Sequence, residues 1–284
     1  VKKKKTIIAI MYDFDKTLCT KDMQEYSFIP SLGIKPKAFW KESTELAIDN
    51  KMDKILSYMY LMIRKSREKH IPIKRDDFVK LGKEIEFFDG VIDWFKRINT
   101  FAKKEGVQIE HYIISSGLKE IVEGSKICKE FKEIFACEFH YDENGIADWP
   151  KAAVNYTAKT QFLFRINKGV LDVSNDDALN KYVQGDERKI PFRNMIYIGD
   201  GLTDVPCMKL VKVNGGQSIA VYQQRKKNKV TELLTDRRVD FISMANYSEG
   251  SELDMIVKLI IKKMAVVDEL VVLHRKQMKS IEQK

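Results

Sequence analysis

The sequence predicts an α/β protein built on a parallel sheet, and three observations carry that expectation. Short apolar runs recur along the chain, three of them stop at clusters of small and acidic residues, and amphipathic helical patterns lie between them. A nearly continuous apolar run is what a strand buried on both faces looks like. An open α/β sheet gathers its functional residues where strand C-termini meet the following loops.

Residues 6–12 (TIIAIMY) form the first such run and end at Asp13-Phe14-Asp15. Residues 22–87 read differently, as four helices with no strand signal between them: the segment after Asp22, then 36–49, 52–69 and 76–85. In the third helix Ile55, Leu56, Met59, Tyr60 and Ile63 fall at helical spacing, Tyr58, Leu61 and Met62 widen the face, and these Met and Tyr residues are read as the core of a small bundle. A further helix over 93–102 puts Trp94, Phe95, Ile98, Phe101 and Ala102 on one face, with Asp89-Gly90 marking its start. The second strand, 108–114, stops at Ser115-Ser116-Gly117. Residues 137–141, the turn Asp142-Glu143-Asn144-Gly145 and residues 146–154 predict a β-hairpin, because Asn-Gly supplies the positive φ of a tight turn. Trp149-Pro150 beside it is read as packing. A third functional strand, 195–198, stops at Gly199-Asp200-Gly201, and 218–222 and 239–242 are shorter strands.

At the end of the chain Leu253, Val257, Ile260, Met264, Val267 and Val271 alternate at four and three residues along a long helix. Such a seam could join two copies into a homodimer. The broader face that includes Ile256, Ile261 and Leu270 fits docking on the sheet better.

The 284 residues carry 50 Lys+Arg against 41 Asp+Glu, a net charge of +9, and are 44% hydrophobic, enough apolar surface to exclude a disordered chain. The most apolar late stretch, 255–273, is broken by Lys258, Lys262, Lys263, Asp268 and Glu269, which excludes a bilayer span. The positive charge is local. Residues 1–21 hold six basic and two acidic groups, and residues 205–229 hold six basic and none acidic. Without basic residues interleaved with aromatics this is a weak argument for nucleic acid, which is set aside as a partner. Lys2–Lys5 precede the first strand, so they fall about 20 Å from Asp13 at the far end of the sheet. Arg225, Lys226, Lys227 and Lys229 follow a later strand and are expected on the active face, where they would draw in an anion. Cys19, Cys128, Cys137 and Cys207 show no pairing or C-x-x-C spacing and no charged-then-apolar leader opens the sequence, so a reducing, cytoplasmic setting is expected. Cys19, close to the first acidic pair, is read as a buried inert thiol.

The chemistry concentrates in two short segments. Asp13 and Asp15 stand at i and i+2 at the end of a buried strand, and Asp200 and Asp204 at i and i+4 where a second strand enters a helix. Carboxylates near one buried pocket repel one another and are costly to desolvate. A hard divalent cation such as Mg²⁺, held by carboxylates, waters and phosphate oxygens, would relieve that cost.

With these residues in view, the sequence resembles the haloacid dehalogenase (HAD) superfamily, most closely its phosphoserine phosphatase-like branch. Asp13-Phe14-Asp15-Lys16-Thr17-Leu18 matches the first motif, and Ser115 after Tyr112-Ile113-Ile114 the second. Lys159 in Thr157-Ala158-Lys159-Thr160 matches the third, and Gly199-Asp200-Gly201-Leu202-Thr203-Asp204 the fourth. The resemblance spans residues 6 to about 222. Its first and fourth motifs are specific together, while the lone Ser and Lys are placed mainly by their order. It implies a Rossmann-like core (1–21 and 88–284) with a small all-helical type 1 cap (22–87) inserted between the first two motifs. It implies a Mg²⁺-dependent phosphatase acting on a small phosphorylated metabolite. Asp13 would be the nucleophile that forms an aspartyl-phosphate and Asp15 the acid and base. Ser115, Ser116, Gly117, Lys159 and Thr17 would serve the phosphoryl group, with the N–H groups near Ser116-Gly117 at a helix start. Asp13, Asp15 through its backbone carbonyl, Asp200 and Asp204 would hold the metal. Asp22 stands where phosphoserine phosphatases carry a Glu facing the substrate amine; residues 57–65 show no clear match to their substrate-carboxylate arginine, for which Arg64 and Arg67 are the candidates. A phosphomutase of the same superfamily and a catalytically inactive Mg²⁺-dependent binding protein are the competing readings.

Overall fold

The computed structural model describes residues 5–184 and 187–282. The expected run Ile7–Tyr12 becomes β1, and its residues from Ile8 to Tyr12 have no exposed surface. Gln108–Leu118 forms β2, Phe131–Tyr141 β3, Ala147–Ala152 β4, Met195–Gly199 β5, Gln217–Tyr222 β6 and Phe241–Met244 β7. These make one sheet in the order β4-β3-β2-β1-β5-β6-β7, parallel throughout except for the antiparallel β3–β4 pair. The central position of β1 explains its apolar sequence: both edges are paired and both faces are covered.

Residues 22–87 carry no strand of that sheet. They hold α1 (Phe28–Ser31), α2 (Pro36–Asp49), α3 (Lys54–Lys69) and α4 (Arg75–Leu81), with short 3-10 turns at Met23–Glu25 and Gly82–Glu84. Pro36 opens α2, where its missing N–H costs nothing, and the Asp53 carboxylate caps α3 by accepting from the N–H groups of Ile55 and Leu56. The apolar face of α3 agrees with the sequence expectation except at Leu56 and Tyr60. Tyr58, Met59, Leu61, Met62 and Ile63 are buried, while Leu56 and Tyr60 face outward. With apolar residues at eight of its positions, the pattern alone left the direction of the face open.

The remaining helices are α5 (Val91–Lys104), α6 (Lys119–Glu123), α7 (Ala158–Lys168), α8 (Asp176–Asn180), α9 (Val205–Val213), α10 (Asn228–Thr235) and α11 (Glu252–Glu282). They cover both faces of the sheet. Tyr12 meets Trp94 of α5 through an indole-to-hydroxyl hydrogen bond of 2.8 Å. Met11, on the opposite side of the pleat, is in register with Tyr197, which points to the segment leading into α9.

Three expectations are corrected. β2 continues to Leu118, and helix α6 starts only at Lys119, so Ser116 and Gly117 lie on a strand end and not at a helix start. Trp149 is 71% exposed on the edge strand β4 and packs against nothing in the core. The C-terminal seam docks on the core through Leu253, Val257, Ile260, Ile261 and Met264, as the broad face suggested, but Leu270 is not part of that face and stands in solvent. Lys2–Lys4 of the basic run lie outside the described residues; Lys5 precedes β1, at the end of the sheet remote from Asp13.

Candidate active site

Parallel strands in register put the ends of β1, β2 and β5 side by side, and three expected motifs meet there. Asp13 follows β1 directly, its N–H donating to the carbonyl of Ile198 on β5 at 2.9 Å. Lys159, in the first turn of α7, is buried, and its Nζ lies 3.0 Å from Oδ1 of Asp13 and 2.7 Å from Oδ1 of Asp204. Asp204 accepts a second hydrogen bond on that oxygen from the Tyr197 hydroxyl at 2.8 Å. Gly199 admits this packing: a Cβ there would come within 2.5 Å of Oδ2 of Asp204.

Asp13, Asp200 and Asp204 each offer a carboxylate oxygen within 4.8 Å of the others. Oδ2 of Asp204 is buried with no hydrogen-bond partner among the described residues. A hard oxygen-seeking cation suits such a donor set, so the residues fit Mg²⁺. Burial pushes the Asp200 carboxyl up to about 8, helped by the charges of Asp13 and Asp204. Burial also raises Asp13, to about 6, with the Lys159 ammonium opposing and Asp204 adding to the rise. For Lys159 burial works against the charged form, but Asp13 and Asp204 outweigh it and hold the ammonium ionised.

Asp15 stands apart from that trio. Its Oδ1 accepts from the N–H of Met23 at 2.8 Å, and Oδ2 faces Gly117, where a Cβ would approach to 2.9 Å. Burial holds its carboxyl well above the usual range, and the neighbouring charges of Asp22 and Asp13 push the same way. Asp22 is ion-paired to Lys16, whose backbone adopts φ 59°. Its charge therefore meets a cation of this chain. Arg64 reaches Glu42 and Glu68, so one of the arginines considered for a substrate carboxylate is paired within the helical segment.

Ser115 is buried, and its Oγ accepts from the N–H of Gly117 at 3.0 Å, which leaves the hydroxyl proton available for another acceptor. The hydroxyls of Thr17 and Ser116 are buried without partners among the described residues. Three residues that sequence reasoning missed complete the surroundings: Tyr197, Met23 and Tyr58. The Tyr58 hydroxyl, on α3, donates to the carbonyl of Ser116 at 2.7 Å and ties the helical segment to the strand end. Tyr58 and Tyr197 sit in apolar patterns that read as core, and Met23 is a lone apolar residue among polar neighbours, so no signal separated them. The segment after β6 also reaches this end of the sheet, since the amide of Gln223 donates to the carbonyl of Thr20 at 2.7 Å. Cys19 is buried, as expected, with its thiol raised by burial and by the charge of Asp15.

The model of the haloacid dehalogenase-like hydrolases matches residues 10–209, from β1 to α9. The chain belongs to the haloacid dehalogenase-like hydrolase family. A relative of this HAD protein in Borreliella burgdorferi, described as an uncharacterized protein, is 30% identical over 280 residues, covering 88% of this chain and 95% of that one. Among solved structures, a HAD family hydrolase from Salmonella enterica serovar Typhi matches with TM-score 0.55 and 18% identity, over 89% of this chain and 70% of that one. A phosphoserine phosphatase in a phospho-aspartyl intermediate analogue form matches with TM-score 0.53 and 16% identity, over 90% and 99%. A probable phosphoserine phosphatase from Vibrio cholerae matches with TM-score 0.56 and 12% identity, over 93% and 67%. At these identities the likeness is one of fold. No helix among the described residues is long and apolar enough to cross a membrane.

Proposed function

We propose that this HAD protein is a Mg²⁺-dependent phosphatase that hydrolyses a small phosphorylated metabolite through an aspartyl-phosphate on Asp13. The observation that carries the reading is the buried bridge from Lys159 to Asp13 and Asp204 beside Asp200, in a chain whose family is a hydrolase family. Mg²⁺ would be held by the Asp13 carboxylate, the Asp15 backbone carbonyl and Asp200, with Asp204 completing or orienting the set, and when bound it screens the anions that must meet.

Asp13, kept ionised at neutral pH with the help of Lys159, attacks phosphorus with a carboxylate oxygen. The bond from phosphorus to the ester oxygen breaks, and the leaving alkoxide takes the proton of Asp15. Asp15 suits that task because its surroundings favour the protonated form. In the second half the Asp15 carboxylate takes a proton from water, the hydroxide oxygen bonds to phosphorus, and the acyl-phosphate bond breaks to release phosphate and restore Asp13. Lys159 and the hydroxyls of Ser115, Ser116 and Thr17 are the groups of this chain suited to the phosphoryl oxygens.

Residues 22–87 act as a type 1 cap on a core made of 1–21 and 88–284. The bond from Tyr58 to Ser116 supports that role by fastening the cap over the site. The pairing of Asp22 with Lys16 argues against reading Asp22 as a free receptor for a substrate amine, so the reading stops at a small phosphomonoester and does not name phosphoserine. Four free cysteines are consistent with a reducing, cytoplasmic setting. A screen of Mg²⁺-dependent phosphate release over a panel of phosphorylated metabolites tests the proposal. Turnover of at least one compound by the parent, lost in Asp13→Asn, supports it; no release from any compound, or equal release by Asp13→Asn, overturns it.

A further inference from the structure

The face of α11 that docks on the core leaves a second apolar stripe on the opposite side. Met255, Leu259, Val266, Leu270 and Leu273 are each more than half exposed and follow one another along one face for about 27 Å. The middle of the stripe is centred on Val266. Leu259 and Leu273 lie seven residues to either side of it, and Lys262 and Leu270 four residues to either side. An isologous contact needs a surface that meets its own copy after a two-fold rotation, and this one does so in antiparallel register.

We propose that the occupant of this stripe is α11 of a second copy of the chain, antiparallel, with the two-fold axis at Val266. Leu259 then packs on Leu273 of the second copy, Val266 on Val266, and Leu270 along the aliphatic stem of Lys262. The charges select this orientation. Lys262 and Glu269 project from the same edge of the stripe, and in antiparallel register the Lys262 of each copy stands beside the Glu269 of the other, giving two symmetric ion pairs. A parallel, in-register pair would instead set Lys262 against Lys263 of the second copy. Lys262 is already held along the interface edge, its ammonium 5.8 Å from the centre of the Phe101 ring on α5. An anionic lipid surface also attracts basic helices with an apolar face, but Glu269 on the stripe edge, which has no ion pair among the described residues, opposes that occupant and gains a partner in the dimer.

Sedimentation velocity on the full chain at concentrations up to roughly 100 µM tests the proposal. The expected mass is twice the 33.1 kDa of one chain. The double substitution L259E/L273E, at exposed positions, should give a monomer with an unchanged circular-dichroism melt. Lys262→Glu should weaken the dimer about tenfold or more, and adding Glu269→Lys should restore it. Under mild oxidation L259C mixed with L273C should cross-link, while L259C alone should behave as the parent. A parent that stays monomeric, a dimer untouched by L259E/L273E, a monomer that floats with anionic vesicles, or cross-linking of L259C to itself each overturns the proposal.

Discussion

The ammonium of Lys159 lies 2.7 Å from Oδ1 of Asp204, and both side chains are fully buried. A buried charge pair is held in place less by its own attraction than by the cost of leaving either partner alone. Lys159→Ala should therefore destabilise the protein by about 3–5 kcal/mol, because Asp13 and Asp204 would face each other uncompensated. Chemical denaturation checks this. K159A/D204N should recover part of the loss without recovering activity.

Asp15 is expected to act on the leaving group, so its loss should depend on how good that group is. In Asp15→Asn, turnover of an alkyl phosphate should fall by about 10²-fold or more, and an aryl phosphate with an acidic phenol should lose less. Steady-state rates on the two substrate types measure the difference. Equal losses would assign Asp15 a structural role.

The carboxyl of Asp200, raised to about 8, and that of Asp13, raised to about 6, bind more protons in the fold than in the unfolded chain. Stability of the metal-free protein should therefore fall as pH rises from about 4 to about 8, where the fold must release protons that the unfolded chain has already lost. Thermal melts in EDTA should show Asp200→Asn stabilised relative to the parent at pH 8 by about 2–5 °C, with little difference at pH 4. Mg²⁺ should stabilise the parent increasingly over the same rise in pH and stabilise Asp200→Asn much less.

The fold was legible because its strands are buried on both faces: the apolar runs that became β1, β2, β5 and β6 are hard to read otherwise. The acids Asp13, Asp15, Asp200 and Asp204 were legible for a related reason, since charged residues closing a buried strand need a use. Lys159 was placed mainly by its order, and only the fold shows its ammonium on two carboxylates. Tyr58 and Tyr197 were not legible, because an aromatic in an apolar helix or strand looks the same whether its hydroxyl reaches a site or merely packs. Half of β3 escaped notice because Lys132 and Glu133 interrupt the apolar run near its start.

Tyr58 joins α3 to the carbonyl of Ser116 beside the site. Tyr58→Phe removes one partly buried hydrogen bond, costing about 1 kcal/mol of stability. If that bond fastens the cap, KM should rise several-fold while kcat for the bound substrate changes little. A kcat loss with KM unchanged would place Tyr58 in the chemistry instead.

Arg225, Lys226, Lys227 and Lys229 follow β6, whose next residue Gln223 is bonded to the loop after β1. Replacing all four by glutamine should lower kcat/KM for a phosphate dianion several-fold at low salt and flatten its salt dependence. An unchanged salt slope would show that these residues do not steer the substrate.

The central claim is that Asp13 becomes phosphorylated during turnover. The direct measurement is to quench the protein in acid during turnover of a phosphoryl-labelled substrate with Mg²⁺ and map the labelled peptide. Label on Asp13 that is chased by unlabelled substrate and absent from Asp13→Asn is the expected result; turnover with no acid-stable label, or label on another residue, would contradict it.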